Sequence, residues 1–138
     1  MKCVKENWKF FAGSKMNNIQ GIINRLASND FSIADLEQYL ESSIVLIKVN
    51  AIIAVLREHI TEESIICKLN YISKNTQNEP KVMGEWNTGH YATAVLNLLK
   101  TEHTQEMYNN NIKELDEYAQ QGMNRLCEQI SCMLESDK

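Results

Sequence analysis

Proline and glycine are scarce in this chain, which has one proline and five glycines among 138 residues. Both residue types break helices or shape the turns of sheets, so their scarcity favours an all-α fold. The apolar fraction of 43% and the charged fraction of 23% are those of an ordinary soluble globular protein. We therefore expect residues 1–138 to form a single all-helical domain, with six or seven helices and no sheet.

The chain also lacks a clustered excess of lysine and arginine. Residues 1–57 carry seven basic and five acidic side chains, whereas residues 58–138 carry seven basic and thirteen acidic ones. A protein that neutralises nucleic-acid phosphates needs the opposite balance, so nucleic-acid binding is disfavoured. The acidic part suits a basic protein partner through charge complementarity, although the same charges would also keep a protein soluble.

Motifs for catalysis and metal binding are missing as well. The sequence contains no HExxH, no ExxH pair, no GxSxG and no glycine-rich phosphate loop. His59 precedes Glu62 and Glu63, and His103 precedes Glu106, but both groups straddle a predicted helix start, where acids and histidines are common. We expect no metal, no cofactor and no enzymatic activity.

Signals for export are absent. The four cysteines, Cys3, Cys67, Cys127 and Cys132, form no CxxC pair, which favours scattered and mostly buried thiols in a reducing compartment. No continuous apolar stretch follows the first lysines, and the apolar residues 44–56 are too few to span a bilayer. The prediction is a cytoplasmic protein without a membrane partner.

Apolar side chains recur at helical spacing along most of the chain. Val4, Trp8 and Phe11 predict a first helix that contributes to the core, and Gly13-Ser14 predicts its end and the cap of the next. Ser32 is predicted to cap a short helix, and Ser42-Ser43 to open a central, largely buried one.

The later boundaries follow from the same signals. Thr61 and Thr104 are predicted helix caps, and residues 73–84 read as an exposed loop. From there the pattern predicts one long helix over about residues 105–135, or two pieces bent near Gly122.

The sequence contains an internal similarity between its two parts. At an offset of 43 residues, Ala51, Leu56, Thr61 and Glu63 correspond to Ala94, Leu99, Thr104 and Glu106. With Leu69 and Ile72 echoed by Ile112 and Leu115, residues 44–115 resemble HEAT-like α-solenoid repeats, which implies stacked antiparallel helical hairpins, as a superhelix or an irregular bundle. Such repeats usually serve as binding scaffolds.

The small size, the acidity and the helical composition are also similar in general character to all-α immunity proteins of bacterial toxin systems. That resemblance implies an inhibitor whose acidic face covers the basic cleft of a nuclease toxin. The stretch from Glu85 to Tyr91 adds aromatic side chains, which anchor interfaces or cap the core. The predicted partner-binding residues are Glu58, Glu62, Glu63, Glu85, Trp86, His90, Tyr91, Glu102 and Glu106.

A different function is open at this stage. The chain could be a helical adaptor or regulatory domain that binds a peptide or small ligand between its hairpins. An apolar pocket lined by Trp86 and Tyr91 would favour that alternative, whereas a flat acidic face would favour the inhibitor.

Overall fold

The computed structural model describes residues 11–136, with the side chains of residues 18–135. Within this range the chain forms seven helices: α1 (Phe11–Ala27), α2 (Ile33–Leu40), α3 (Val45–Arg57), α4 (Glu63–Lys74), α5 (Thr88–Leu99), α6 (Glu102–Ile112) and α7 (Glu117–Ser136). The predicted all-α fold is confirmed. The N-terminal prediction at Val4 and Trp8 lies outside the described residues.

The expectation of no sheet is wrong in one place. Strands β1 (Lys81–Met83) and β2 (Trp86–Asn87) form a short antiparallel hairpin, in which Lys81 faces Asn87 and Met83 faces Trp86. Gly84, with φ of +57°, makes the turn, a backbone conformation that glycine adopts without steric cost. The hairpin brings the chain directly into the first turn of α5.

The segment predicted to be an exposed loop is also more ordered than expected. α4 continues to Lys74, and a single 3-10 turn follows at Thr76–Asn78. The carboxylate of Glu79 is 2.7 Å from the ammonium of Lys48, and both side chains are largely buried. Glu79 also accepts a hydrogen bond from the Thr88 hydroxyl. This ion pair fixes the segment against α3 and α5.

Several predicted helix starts need correction. α1 runs through Gly13-Ser14 without a break, and α3 begins at Val45, beyond Ser42-Ser43. α4 begins after Glu62 with no side-chain cap, so Thr61 is not a cap.

The cap of α6 is Thr101, whose hydroxyl accepts a hydrogen bond from the backbone N–H of Thr104. By contrast, the capping box of Ser32 and Asp35 confirms the predicted start of α2.

The prediction of one long helix over about residues 105–135 is wrong, because the structure has two helices there, α6 and α7. α6 ends at Ile112 and α7 begins at Glu117. Asp116 caps α7 by accepting a hydrogen bond from the Ala119 N–H at 2.8 Å. Gly122 lies inside α7 and does not divide it. Its missing side chain has another use, because a β-carbon there would lie 3.0 Å from the Trp86 indole.

Helix α5 is the centre of the molecule. It packs against α3, α4, α6 and α7. Its buried residues are Thr88, Gly89, Ala92, Thr93, Ala94, Val95, Leu96 and Leu99. One face of α5 joins α1–α4 in the larger hydrophobic cluster, while Ala94 joins α3 and α7 in the second. Small side chains on α5 allow this close approach from several sides.

The sequence similarity at an offset of 43 residues matches the helix boundaries for only one helix of each predicted hairpin. An offset of 43 residues places α3 (Val45–Arg57) on α5 (Thr88–Leu99), but it places the first residue of α4 on Glu106, four residues inside α6. The reason is the connection, since residues 58–62 link α3 to α4 whereas only residues 100–101 link α5 to α6. α5 and α6 pack closely, whereas α3 and α4 are not among the closely packed pairs of the described chain.

The cysteines are less buried than predicted. Cys127 is buried, but Cys67 and Cys132 are exposed, and Cys3 lies outside the described residues. Cys67 lies on the solvent side of α4, whose buried residues include Ile65, Ile66 and Leu69. Among the described helices, none combines the length and the apolar character that crossing a membrane requires.

Candidate functional site

The predicted partner-binding residues fall into two groups at opposite ends of α5. Trp86, His90 and Tyr91, with Glu85, lie at the N-terminal end of this helix. The other group lies near the C-terminal end of α5, in the α3–α4 connection and at the starts of α4 and α6. We call this group the acidic end; it consists of Glu58, Glu62, Glu63, Glu102 and Glu106. A helix of this length separates the two groups by about 18 Å.

A contact between the α3–α4 connection and the C-terminal end of α5 lies at the acidic end. The Nε2 atom of His59 lies 3.1 Å from the backbone oxygen of Leu99, which joins the α3–α4 connection to the last turn of α5. His59 has a φ of +52° and Lys100 a φ of +60°, so the backbone turns sharply after α3 and after α5. Glu62 and Glu102 therefore lie on the same end of the molecule.

All five acids of the acidic end are exposed. Glu58 pairs with the adjacent Arg57 at 3.2 Å, and Glu63 accepts a hydrogen bond from the Cys67 thiol. Glu62, Glu102 and Glu106 make no ion pair within the described residues. Residues 58–63 and 100–106 contain one lysine, Lys100, against these five acids. The result is a local negative charge, of which Glu63 and Glu102 also stabilise the first turns of α4 and α6.

The aromatic group at the other end of α5 is largely engaged in packing. Trp86 is half-buried beside Gly122, and its ring meets the His90 ring edge-on with centroids 5.1 Å apart. Tyr91 contacts both hydrophobic clusters, and burial raises the pKa of its hydroxyl. The depression next to Trp86 is lined mainly by polar side chains of α7, and Tyr91 does not line it.

His90 has a defined structural role. Its Nδ1 atom accepts a hydrogen bond from the Asn87 N–H at 3.0 Å, while the Asn87 side chain accepts one from the His90 N–H at 3.1 Å. This reciprocal pair caps α5. Burial lowers the pKa of His90, and the nearby carboxylate of Asp116 partly opposes that shift. The imidazole is thus kept neutral, as an acceptor at Nδ1 must be.

Sequence reasoning missed a polar cleft between the C-terminal ends of α4 and α6. We call it the Asn111 cleft; it has a volume of about 490 Å³ and is lined by residues of α4, the 3-10 turn, α6 and the α6–α7 connection, among them Ser73, Thr76, Asn111, Glu114 and Leu115. A smaller depression of about 330 Å³ shares Thr76, Gln77, Glu114 and Leu115 with it and adds His90 and Asp116.

A chain of buried hydrogen bonds forms one wall of the Asn111 cleft. Asn111 donates from Nδ2 to the Ser73 hydroxyl at 3.0 Å and to Asn70 Oδ1 at 2.8 Å. The hydroxyls of Ser73 and Thr93 are 2.6 Å apart, and Thr93 donates to the Gly89 carbonyl at 2.9 Å. The network joins α4, α5 and α6.

The sequence does carry a signal for this network. Asn111 follows Tyr108 by three residues and precedes Leu115 by four, so helical spacing places it on the apolar face of α6. A polar residue at such a position must find a partner or a ligand.

Among the described residues, no three His, Cys, Asp or Glu side chains come together in a way that could hold a metal ion. The comparisons add no relative: no family model, no curated protein and no solved structure matches this chain.

Proposed function

We propose that this protein is a non-enzymatic binding module whose acidic end docks on a basic protein. The concrete form of the proposal is an immunity protein that blocks a basic bacterial nuclease toxin. The observation that carries it is the set of five exposed acids around the starts of α4 and α6, together with the His59–Leu99 contact that joins the α3–α4 connection to the end of α5. Complementary charge favours fast association and a defined orientation.

In this proposal the protein inhibits the nuclease by covering its cleft. A nuclease cleft is basic because it holds phosphates, so an acidic protein surface competes for the same side chains. Glu62, Glu102 and Glu106 form no ion pair with the described residues and would exchange water for the partner's lysines and arginines. The rigid helices behind these acids keep the cost of ordering small.

The test compares two triple variants with the same change in charge. Glu62→Gln/Glu102→Gln/Glu106→Gln neutralises the acidic end, whereas Glu117→Gln/Glu128→Gln/Glu135→Gln neutralises exposed acids of α7. The partner candidates are the products of genes adjacent to the one that encodes this chain. We expect the first variant to associate at least tenfold more slowly at low salt, and the α7 variant to associate nearly as wild type does.

Rescue of growth gives the functional readout. Co-expression of wild type should protect cells from a toxic neighbouring gene product, and the acidic-end variant should protect poorly. Equal loss in both triple variants would argue against docking at the acidic end. The absence of any basic or toxic neighbouring product would refute the immunity proposal itself.

A second candidate function is a domain that binds a small ligand or peptide between its helices. The Asn111 cleft favours it, because a half-open polar cavity of about 490 Å³ falls in the range of small-molecule sites. The cleft is polar and is not lined by Trp86 or Tyr91, so it differs from the apolar pocket that the sequence suggested for this function.

A further inference from the structure

The orientation of the Asn111 amide is fixed by its neighbours. Thr93 donates its proton to the Gly89 carbonyl, so it accepts from Ser73, and Ser73 in turn accepts from Nδ2 of Asn111. Asn70 Oδ1 takes the second proton of the same amide. Both Nδ2 protons are thus committed, and the amide cannot be flipped without breaking this chain.

The remaining atom of the amide, Oδ1, has no partner among the described residues. Asn111 is 3% exposed and lines the cleft, yet its Oδ1 accepts no hydrogen bond from any described residue. A buried carbonyl-type oxygen without a donor is costly. The cleft therefore offers a ligand an acceptor that is already oriented and already shielded from bulk water.

The electrostatics of the cleft favour a cation. α4 ends at Lys74 and α6 at Ile112, so the negative ends of two helix dipoles meet there. Glu114 adds a carboxylate to the lining, and Asp116 adds another in the adjoining depression. The lowered pKa of His90 keeps that ring uncharged. Lys74 is the one cationic side chain in the lining.

We propose that the Asn111 cleft binds a guanidinium group. A guanidinium is a planar cation with five N–H donors, so it can donate to Asn111 Oδ1 and to the Glu114 carboxylate at once. The volume of about 490 Å³ leaves room for the alkyl chain that carries the group, against Leu115. A free guanidine metabolite and an arginine side chain of a protein share this chemistry.

The site is independent of the proposed docking surface. It lies at the N-terminal end of α5, whereas the acidic end follows the C-terminal end of that helix. Glu128→Gln is the matched control for Glu114→Gln, because it removes the same charge from an exposed position of α7 that belongs neither to the cleft lining nor to the acidic end.

The experiment is an NMR titration of the ¹⁵N-labelled full chain. Agmatine represents the free guanidine, the peptide Gly-Gly-Arg-Gly-Gly represents the protein side chain, and the same peptide with citrulline is the neutral isostere. We expect agmatine or the arginine peptide to shift the Asn111 side-chain amide and the Leu115 N–H, and citrulline to leave them unchanged. Tighter binding of one guanidine probe identifies the source.

Variants complete the test. Glu114→Gln should weaken binding about tenfold through loss of a charge-assisted hydrogen bond, while Glu128→Gln should leave the affinity unchanged. Equal binding of citrulline and arginine peptides, or of a lysine peptide, would overturn the guanidinium assignment. If neither agmatine nor the arginine peptide shifts these signals, the proposal is wrong. None of these results bears on the acidic end.

Discussion

His90 shows how one side chain can tie stability to pH. Its Nδ1 atom must stay unprotonated to accept the Asn87 N–H, and burial lowers its pKa from the ordinary value of 6.5. Protonation therefore weakens the cap of α5, the helix on which the others pack. The unfolded chain binds the proton at a higher pH than the folded chain does.

The sign of the pH effect follows from that difference. Above pH 6.5 the imidazole is neutral in both states, and its contribution to stability is complete. As the pH falls from 6.5 toward the lower folded-state pKa, the unfolded state takes up more protons and the free energy of unfolding decreases.

The variant His90→Gln should remove this part of the pH dependence. Glutamine keeps an acceptor at the third helical position, where a capping box favours it, but it does not titrate. Urea unfolding between pH 5 and 8 should show a smaller loss of stability on acidification than wild type. Identical slopes for the two proteins would show that His90 is not the responsible group.

At the level of elements, the start of α7 depends on a single carboxylate. Asp116 accepts the Ala119 N–H at 2.8 Å, and its own carbonyl accepts the first intrahelical bond from the Gln120 N–H. α7 supplies most of the second hydrophobic cluster, including Met123, Leu126 and Ile130. Loss of the cap therefore acts on a helix that the core requires.

Asp116→Ala should lower the free energy of unfolding by about 1 kcal/mol, because an N-cap side chain typically contributes that much. Asp116→Asn keeps the side-chain oxygen and is the matched control, with a loss well below that of alanine. Both values come from urea denaturation at pH 8, where His90 is neutral. Equal destabilisation by the two substitutions would indicate that the negative charge, and not the hydrogen bond, matters at this position.

Elements were predictable from the sequence where a strong local signal was present. The pair Ser32 and Asp35 placed α2 correctly, and the apolar runs located α3 and α5. The start of α6 was ambiguous in the sequence because it has two threonines, Thr101 and Thr104, and the hydroxyl of each accepts a hydrogen bond from the backbone N–H of the other. Spacing alone does not tell which of the two is the cap. The division before α7 was missed because apolar spacing continues across it, although Asp116 marked the boundary.

The candidate sites were less predictable, because they depend on which connections meet in space. Nothing local to His59 indicates that it contacts Leu99, 40 positions further along the chain. The Asn111 cleft needs Ser73 and Thr93 to come from two other helices. Trp86 illustrates the same limit, since an aromatic residue in a polar segment packs beside Gly122 only once the helices are assembled.

For the molecule as a whole, stability should be highest along α5. Its residues are buried among α3, α4, α6 and α7, whereas α2 is an eight-residue helix in which Leu36 and Leu40 are the buried residues. Amides that open only on global unfolding lie in the most buried elements. We expect the amide protons of residues 92–99 to exchange slowest by native-state hydrogen exchange, and those of α2 to exchange through smaller openings. Faster exchange in α5 than in α7 would contradict its central role.

The central position of α5 also has a consequence for synthesis on the ribosome. α1 to α4 leave the ribosome before residue 88, and the faces of Val55 and Leu69 that belong to the same cluster as Leu96 are then still open to water. A nascent chain of this kind has no complete core to fold around until α5 has emerged. We therefore expect chaperones to bind the early helices during translation, and the core to form only after α5 has been made.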